Sequence, residues 1–270
     1  MICAVSAAAG TAAKAPKFAA NAAPGTARAA TAEEITLLND LLHKTADDYY
    51  RWAYTEHRVV RDEKGKLKSE VLLRYDPSKP YAEQWTPLKI DGREPTDRDR
   101  AKYRARGEKG APPAGLSAGV VKPDASRRPT LGESIDVTKS SIASETPTHL
   151  IFEVPLRKNG NERFPPEKFL VLVRVKKEGN LLENIGVQLR DSFRAKLVVK
   201  VKSGEGSLDF LRVDPKYPPA LVAIEGDAVV SILFVSVGGS MELKRTELKH
   251  VKPFDEKFDV QIGTLKAIDF

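Results

Sequence analysis

Side chains able to do chemistry are few in this chain and poorly spaced for it. The histidines, His43, His57, His149 and His250, show neither H-x-x-x-H nor H-E-x-x-H spacing, and Cys3 has no second cysteine to pair with. A tetrahedral metal site needs three or four such groups to converge, and a catalytic imidazole needs a neighbour to orient it. The spacing therefore predicts solvated or packed rings and no metal. Ser236-Val237-Gly238-Gly239-Ser240 shares the composition of a nucleophile elbow without its G-x-S-x-G order, and reads as a turn. Gly204-Glu205-Gly206 does not continue into a G-x-G-x-x-G or P-loop fingerprint, and its neighbours make it a hairpin turn. Glu153 and Glu183 fall in strand patterns with no partner carboxylate at a readable spacing, so a solvated sheet face accounts for them. With no nucleophile, base and orienting group in one pattern, the chain is expected to be no enzyme and to use no cofactor.

Charge offers a second kind of chemistry. The 270 residues carry 44 Lys and Arg against 37 Asp and Glu, a formal net charge of +7. The surplus is local: residues 1–30 carry +3, 31–50 carry −4, 51–130 carry +7 and 131–270 carry +1. The densest run, Arg98, Arg100, Lys102, Arg104 and Arg106, with Arg127 and Arg128 beyond it, could touch anionic headgroups or nucleic acid. Asp97, Asp99 and Glu108 interrupt it and Tyr103 is its one aromatic. The stacking surface of a nucleic-acid binder is missing, so a solvated charged helix is expected and nucleic acid is not among the expected partners.

The elements that must carry these residues begin after an unusual leader. Of the first 30 residues 14 are Ala, with Lys14, Lys17 and Arg28 and no acid, a composition that buries too little to fold. Its opening, MICAVSAAAG, resembles the end of a secretory signal with an A-x-A-like site near Ala7 to Ala9, so export is expected, with cleavage before Thr31. The longest uncharged runs are 13 residues (1–13) and 14 residues (228–241), below the roughly 20 that span a bilayer, so no transmembrane segment is expected.

Thr31 and Glu34 make a capping box ahead of a stripe of Ile35, Leu38, Leu42, Thr45 and Tyr49, which predicts an amphipathic helix of about four turns. From Arg51 the period falls to two, giving a hairpin across the DEKGK turn and a third strand at EQWTPLKI, closed by Asp91-Gly92. Thr96 and Asp99 frame a second, polar helix ending at Gly107, and residues 107–130 are a Pro/Gly-rich insertion without period. From about Leu150 the chain is nearly all strand, with turns read at EGN, SGEGS and EGDA and no helix of crossover length. The expected fold is α+β: one domain over residues 31–270, built on a strongly curved antiparallel half-barrel of about eleven strands. An amphipathic helix precedes it, and a polar helix interrupts it.

One stretch carries a family resemblance. In RYDPSKPYAEQWTPLKIDGREPTDRDRAKYR a Tyr75-Asp76-Pro77 turn, the Trp85 strand and a helix start at Asp91-Gly92-Arg93-Glu94-Pro95-Thr96 follow one another, and FEVPLR, FRAKLVVKV and VDPKYPPAL come later in order. This resembles a group of bacterial secreted and envelope proteins similar to the periplasmic lipoprotein-carrier (LolA/LolB-like) superfamily. The resemblance implies an antiparallel half-barrel whose open face holds acyl chains, in the periplasm or facing the outer membrane. On such a face Trp52 and Tyr54 share strand parity with Val60, and Phe152 and Val154, or Leu170 and Leu172, could face them. With Trp85, the residues Trp52, Tyr54, Phe152 and Val154 are the candidate lining of an apolar cavity, plain core packing being the alternative for each. The partners so implied are a lipid or acyl chain, or an envelope protein if the concavity is filled by its own side chains.

Overall fold

The computed structural model describes residues 27–111, 134–158, 165–196, 199–232 and 235–257. A two-residue strand, β1 (Arg28–Ala29), leads into α1 (Ala32–Asp48). The predicted capping box is formed: the Thr31 hydroxyl accepts from the Glu34 N–H at 3.3 Å and the Glu34 carboxylate accepts from the Thr31 N–H at 2.8 Å. Arg28 adds a tie from β1, donating to Glu34 at 2.7 Å and to Glu145 at 2.9 Å, so contacts that hold α1 include a residue upstream of Thr31.

Alternating apolar residues give β2 (Trp52–Asp62), β3 (Leu67–Tyr75) and β4 (Trp85–Ile90). Asp91 and Gly92, at φ 47° and 78°, turn the chain into α2 (Asp97–Glu108), which Thr96 and Asp99 cap. The rest is strand: β5 (Ser141–Glu145), β6 (His149–Glu153), β7 (Phe169–Lys176), β8 (Leu181–Leu189), β9 (Phe193–Lys196), β10 (Val199–Leu211), β11 (Ala220–Ile232) and β12 (Val235–His250). All belong to one antiparallel sheet in the order β1-β5-β6-β7-β8-β10-β11-β12-β2-β3-β4, with β9 beside β10. The fold is therefore α+β on a large antiparallel sheet, and the path of strands runs open from β1 to β4.

Three glycine-bearing stretches that read as turns are strand interiors. Gly204 and Gly206 lie inside β10, Glu225 to Ala228 inside β11, and Gly238 and Gly239 inside β12. Their partners explain them. Gly206 faces Gly226 across the β10–β11 ladder, and at Gly239 a Cβ would come within 2.4 Å of the Arg61 carbonyl oxygen, where β12 runs close against β2. Gly107, expected just past the second helix, sits within α2, because a Cβ there would lie 1.8 Å from the Tyr81 carbonyl oxygen. The single strand expected over FRAKLVVKV is divided into β9 and β10, and residues 197–198 lie outside the described residues.

Directly paired residues in an antiparallel ladder share a face, so register defines the two sides of the sheet. One line of partners runs from Ile142 through Phe152, Val173, Ile185, Leu208 and Ile224 to Leu243, then on through Arg58 and Val71 to Ile90. The adjacent line, on the other face, contains Glu153, Gly186, Ser207, Glu225, Glu242 and Glu70. One face is thus apolar and the other polar. Leu170 and Leu172 lie on the polar side, paired with Gln188 and Gly186, so they do not face Trp52 and Tyr54. On the apolar side α1 lays Leu38, with Ile35, Leu41 and Leu42, against Ile142, Phe152, Val173 and Ile185. At the opposite edge α2 packs on β4 and on the turn at Tyr81–Glu83.

Candidate functional site

The five residues expected to line a cavity are packed in two separate places. Trp52 and Tyr54 are 4% and 3% exposed, in a cluster with Ala220, Tyr75 and Tyr217 near the end of α1. Trp52 Nε1 donates to Asp48 Oδ2 at 2.8 Å, and His250 Nε2 meets Asp48 Oδ1 at 2.9 Å while its ring stacks on Tyr217 at 3.6 Å. Phe152 and Val154, at 0% and 1% exposure, lie in the core covered by α1. Five strands stand between β6 and β2, so register keeps the two groups apart. Trp85 is half-buried: its ring packs on Tyr75 at 4.4 Å, Tyr75 packs on Tyr54 at 5.1 Å, and the Arg106 guanidinium of α2 covers Trp85 at 3.9 Å. Burial pushes the Tyr54 hydroxyl well above its ordinary value, and pushes that of Tyr75 up to about 12.

Charge enters this apolar face at its centre. Glu56, 1% exposed, is reached by two guanidiniums, Arg58 at 2.5 Å and Arg245 at 3.4 Å. Arg245 also donates to the Tyr49 hydroxyl at 2.9 Å and lies over the Tyr54 ring at 4.0 Å, so both its charge and its flat surface are used. Arg58 is placed differently. Its side chain is 30% exposed, and its buried Nε meets no acceptor among the described residues.

Beyond Arg58, toward the β2–β3 turn, neither α1 nor α2 covers the same face among the described residues. A groove of about 720 Å³ lies there, floored by Val60, Gly226, Ala228, Val237, Gly239 and Met241, and rimmed by Asp62, Lys64, Lys68, Glu205 and Asp227. Among the described residues, no helical residue contributes to its lining. Val237 and Met241 are 54% and 37% exposed, unusual for large apolar side chains on the core side of a sheet. Gly226 and Gly239 leave the floor without side chains at their positions, and Gly226 pairs across the ladder with Gly206. The rim is fixed by Asp62, whose carboxylate accepts from the Lys64 and Lys66 N–H groups at 3.0 and 2.9 Å and meets Lys68 Nζ at 3.3 Å.

Of these groove residues the sequence pointed to Val60 by parity and missed the rest. The available signal was the two-residue spacing of Gly204 with Gly206 and of Gly226 with Ala228, which fits a strand face with its side chains removed. Chemically the site offers apolar contact and backbone on its floor and charges of both signs on its rim. The described residues contain no group of three His, Cys, Asp or Glu side chains able to hold a metal ion, and no helix long and apolar enough to cross a membrane. No protein-family model, curated protein or solved structure matches the chain.

Proposed function

We propose that this is a noncatalytic carrier or binder of a lipid or lipoprotein acyl chain, working in the periplasm or facing the outer membrane, with the sheet bent into a half-barrel. The observation that carries the reading is the groove over β10, β11, β12 and β2. It continues the apolar face past both helices, is kept open by glycines, and at about 720 Å³ falls within the range of small-molecule sites. An acyl chain is unbranched and flexible, so it suits a shallow floor of Val, Ala, Gly and Met better than a shaped pocket would suit a rigid ligand. Bending the sheet would deepen the groove by bringing its rims together. The resemblance around Trp85 and the Ala-rich leader support an exported carrier.

A second reading is favoured by the packing of Trp52, Tyr54, Phe152 and Val154: an envelope protein whose concavity is filled by its own side chains and whose open face meets a protein partner. Native mass spectrometry of the protein purified from a bacterial envelope, followed by lipid extraction, separates the two. The carrier reading expects a co-purifying lipid of defined mass. Protein that is ligand-free across preparations would favour the second reading.

A further inference from the structure

We propose that the outward side of α2 is a docking surface for an anionic lipid bilayer, meeting headgroup phosphates with Arg98, Lys102 and Lys109. Its location rests on the envelope reading above and its geometry on charge alone, so what the groove holds does not enter. Over residues 97–109 six Lys and Arg stand against Asp97, Asp99 and Glu108. Two of these charges are already used to hold the helix: Asp99 caps it and meets Arg93 at 2.8 Å, and Arg106 lies over the Trp85 ring at 3.9 Å. Arg98, Arg100, Lys102, Arg104 and Lys109 are exposed and form no ion pair among the described residues.

Helical spacing sorts these cations. Arg98 and Lys102 lie one turn apart and Lys109, still helical at the C-cap, two turns further, so the three share a stripe about 16 Å long. Ala101 and Ala105, both exposed, lie beside that stripe, so no bulky side chain holds the backbone away from a flat surface. Asp97 and Glu108 fall on the other flank, with Arg100 and Arg104. Behind the stripe the helix is fixed. Gly107 comes against the Tyr81 carbonyl, and Tyr103 is half-buried within electrostatic reach of Arg58 and Glu56. A basic row on a fixed helix gives up little conformational freedom when it meets an anionic plane.

Position in the fold gives this surface a direction. Trp85 pairs with Tyr75 and Tyr75 with Tyr54, so Arg106 and α2 stand on the face of the sheet that carries Val60 and the groove. On that same face α1 exposes Glu33, Asp40 and Asp47 against Lys44. The groove itself is close to balanced, with four carboxylates against Arg61, Lys64 and Lys68. The face is therefore acidic at α1 and basic at α2, and an anionic plane draws in the α2 end first. Nucleic acid fits this surface less well. Tyr103 is turned inward and Trp85 lies beneath Arg106, so α2 offers bases no open ring to stack on.

The test is cosedimentation of the purified full chain with vesicles of phosphatidylcholine alone and of an equal mixture of phosphatidylcholine and phosphatidylglycerol. Wild type should bind the mixed vesicles about tenfold or more tightly than the neutral ones, and high salt should remove the difference. Arg98→Gln with Lys102→Gln should lower binding to the mixed vesicles about tenfold or more. Arg174→Gln with Lys244→Gln removes the same net charge from the opposite face of the sheet, and should leave binding within about twofold. Equal losses from the two pairs would overturn the α2 surface in favour of net charge alone. Equal binding to neutral and mixed vesicles, or binding to neither, would overturn the docking surface, while the groove reading is judged separately by displacement of a fluorescent acyl probe. Binding of single-stranded RNA that is lost with Arg98→Gln and Lys102→Gln, with no preference for the mixed vesicles, would overturn it in favour of a nucleic-acid surface.

Discussion

At the scale of single residues, the Glu56 carboxylate joins strands that are remote in sequence. Its partner Arg245 is 189 residues away, and the pair is almost fully withdrawn from water. Removing one member of a buried ion pair leaves the other charge uncompensated, which costs roughly 3–5 kcal/mol. Glu56→Gln leaves two guanidiniums facing each other and should lose stability on that scale in urea unfolding, and a loss below about 1 kcal/mol would mean that water reaches the cluster. A second residue-level prediction concerns Glu34, whose carboxyl the Arg28 guanidinium holds down to about 2 from an ordinary 4.5. The sign follows from linkage: a depressed folded-state value stabilises above about 4.5, and the contribution fades as pH falls toward 2. The melting-temperature difference between wild type and Arg28→Ala should therefore be full at neutral pH and close progressively below about pH 4.5. A difference independent of pH would show that the Arg28 side chain acts through packing and not through its ion pair with Glu34. The parity of Trp52 and Tyr54 was legible in the sequence, but the Glu56 cluster was not. A charge at a core-parity position reads as a solvated strand until its partner is placed beside it, and only the β12–β2 register does that.

Among the elements, those that announce their own ends were readable. Thr31 with Glu34 and Thr96 with Asp99 are local capping boxes, and both helices begin where those residues put them. The β2–β3 hairpin and the Asp91-Gly92 turn were readable for the same reason, since the turn chemistry lies within a few residues. Strands β10, β11 and β12 were cut short in the sequence reading, because glycine pairs usually mark turns. Here glycine serves cross-strand contacts that no local pattern encodes. Gly107 is the same case within a helix, as its missing side chain lets α2 settle on the Tyr81 carbonyl. Gly107→Ala should push α2 off the turn at Tyr81–Glu83 and cost roughly 1–3 kcal/mol, read by urea unfolding, with faster amide exchange in α2 than in α1. An unchanged exchange pattern would mean that α2 is held chiefly by Arg106 on Trp85.

For the molecule as a whole, the account rests on how two helices divide one face. α1 covers the β5–β8 side and α2 covers the β4 edge, and among the described residues the apolar face between them is continued by a glycine-bearing floor. The sequence could announce an apolar face larger than its helices. It could not locate the uncovered part, because Val60, Gly226, Ala228, Gly239 and Met241 meet only through the return of β12 to β2. Of the candidate lining, Trp52, Tyr54 and Phe152 are buried, Trp85 is half-buried beneath Arg106, and Val154 borders a separate cavity of about 680 Å³ beside β6 and β7. The most direct test fills the groove without touching that core. Gly226 lines the groove and has room for a side chain, the nearest atom to an added Cβ being the Glu205 carbonyl oxygen at 3.4 Å. In a fluorescent fatty-acid binding assay Gly226→Leu should weaken binding about tenfold or more while leaving the melting temperature within a few degrees. Trp52→Ala should do the reverse, losing roughly 3–5 kcal/mol of stability while the folded fraction binds normally. Binding that survives Gly226→Leu and is lost with Trp52 would contradict the account, because the ligand would then lie in the aromatic cluster and not in the groove.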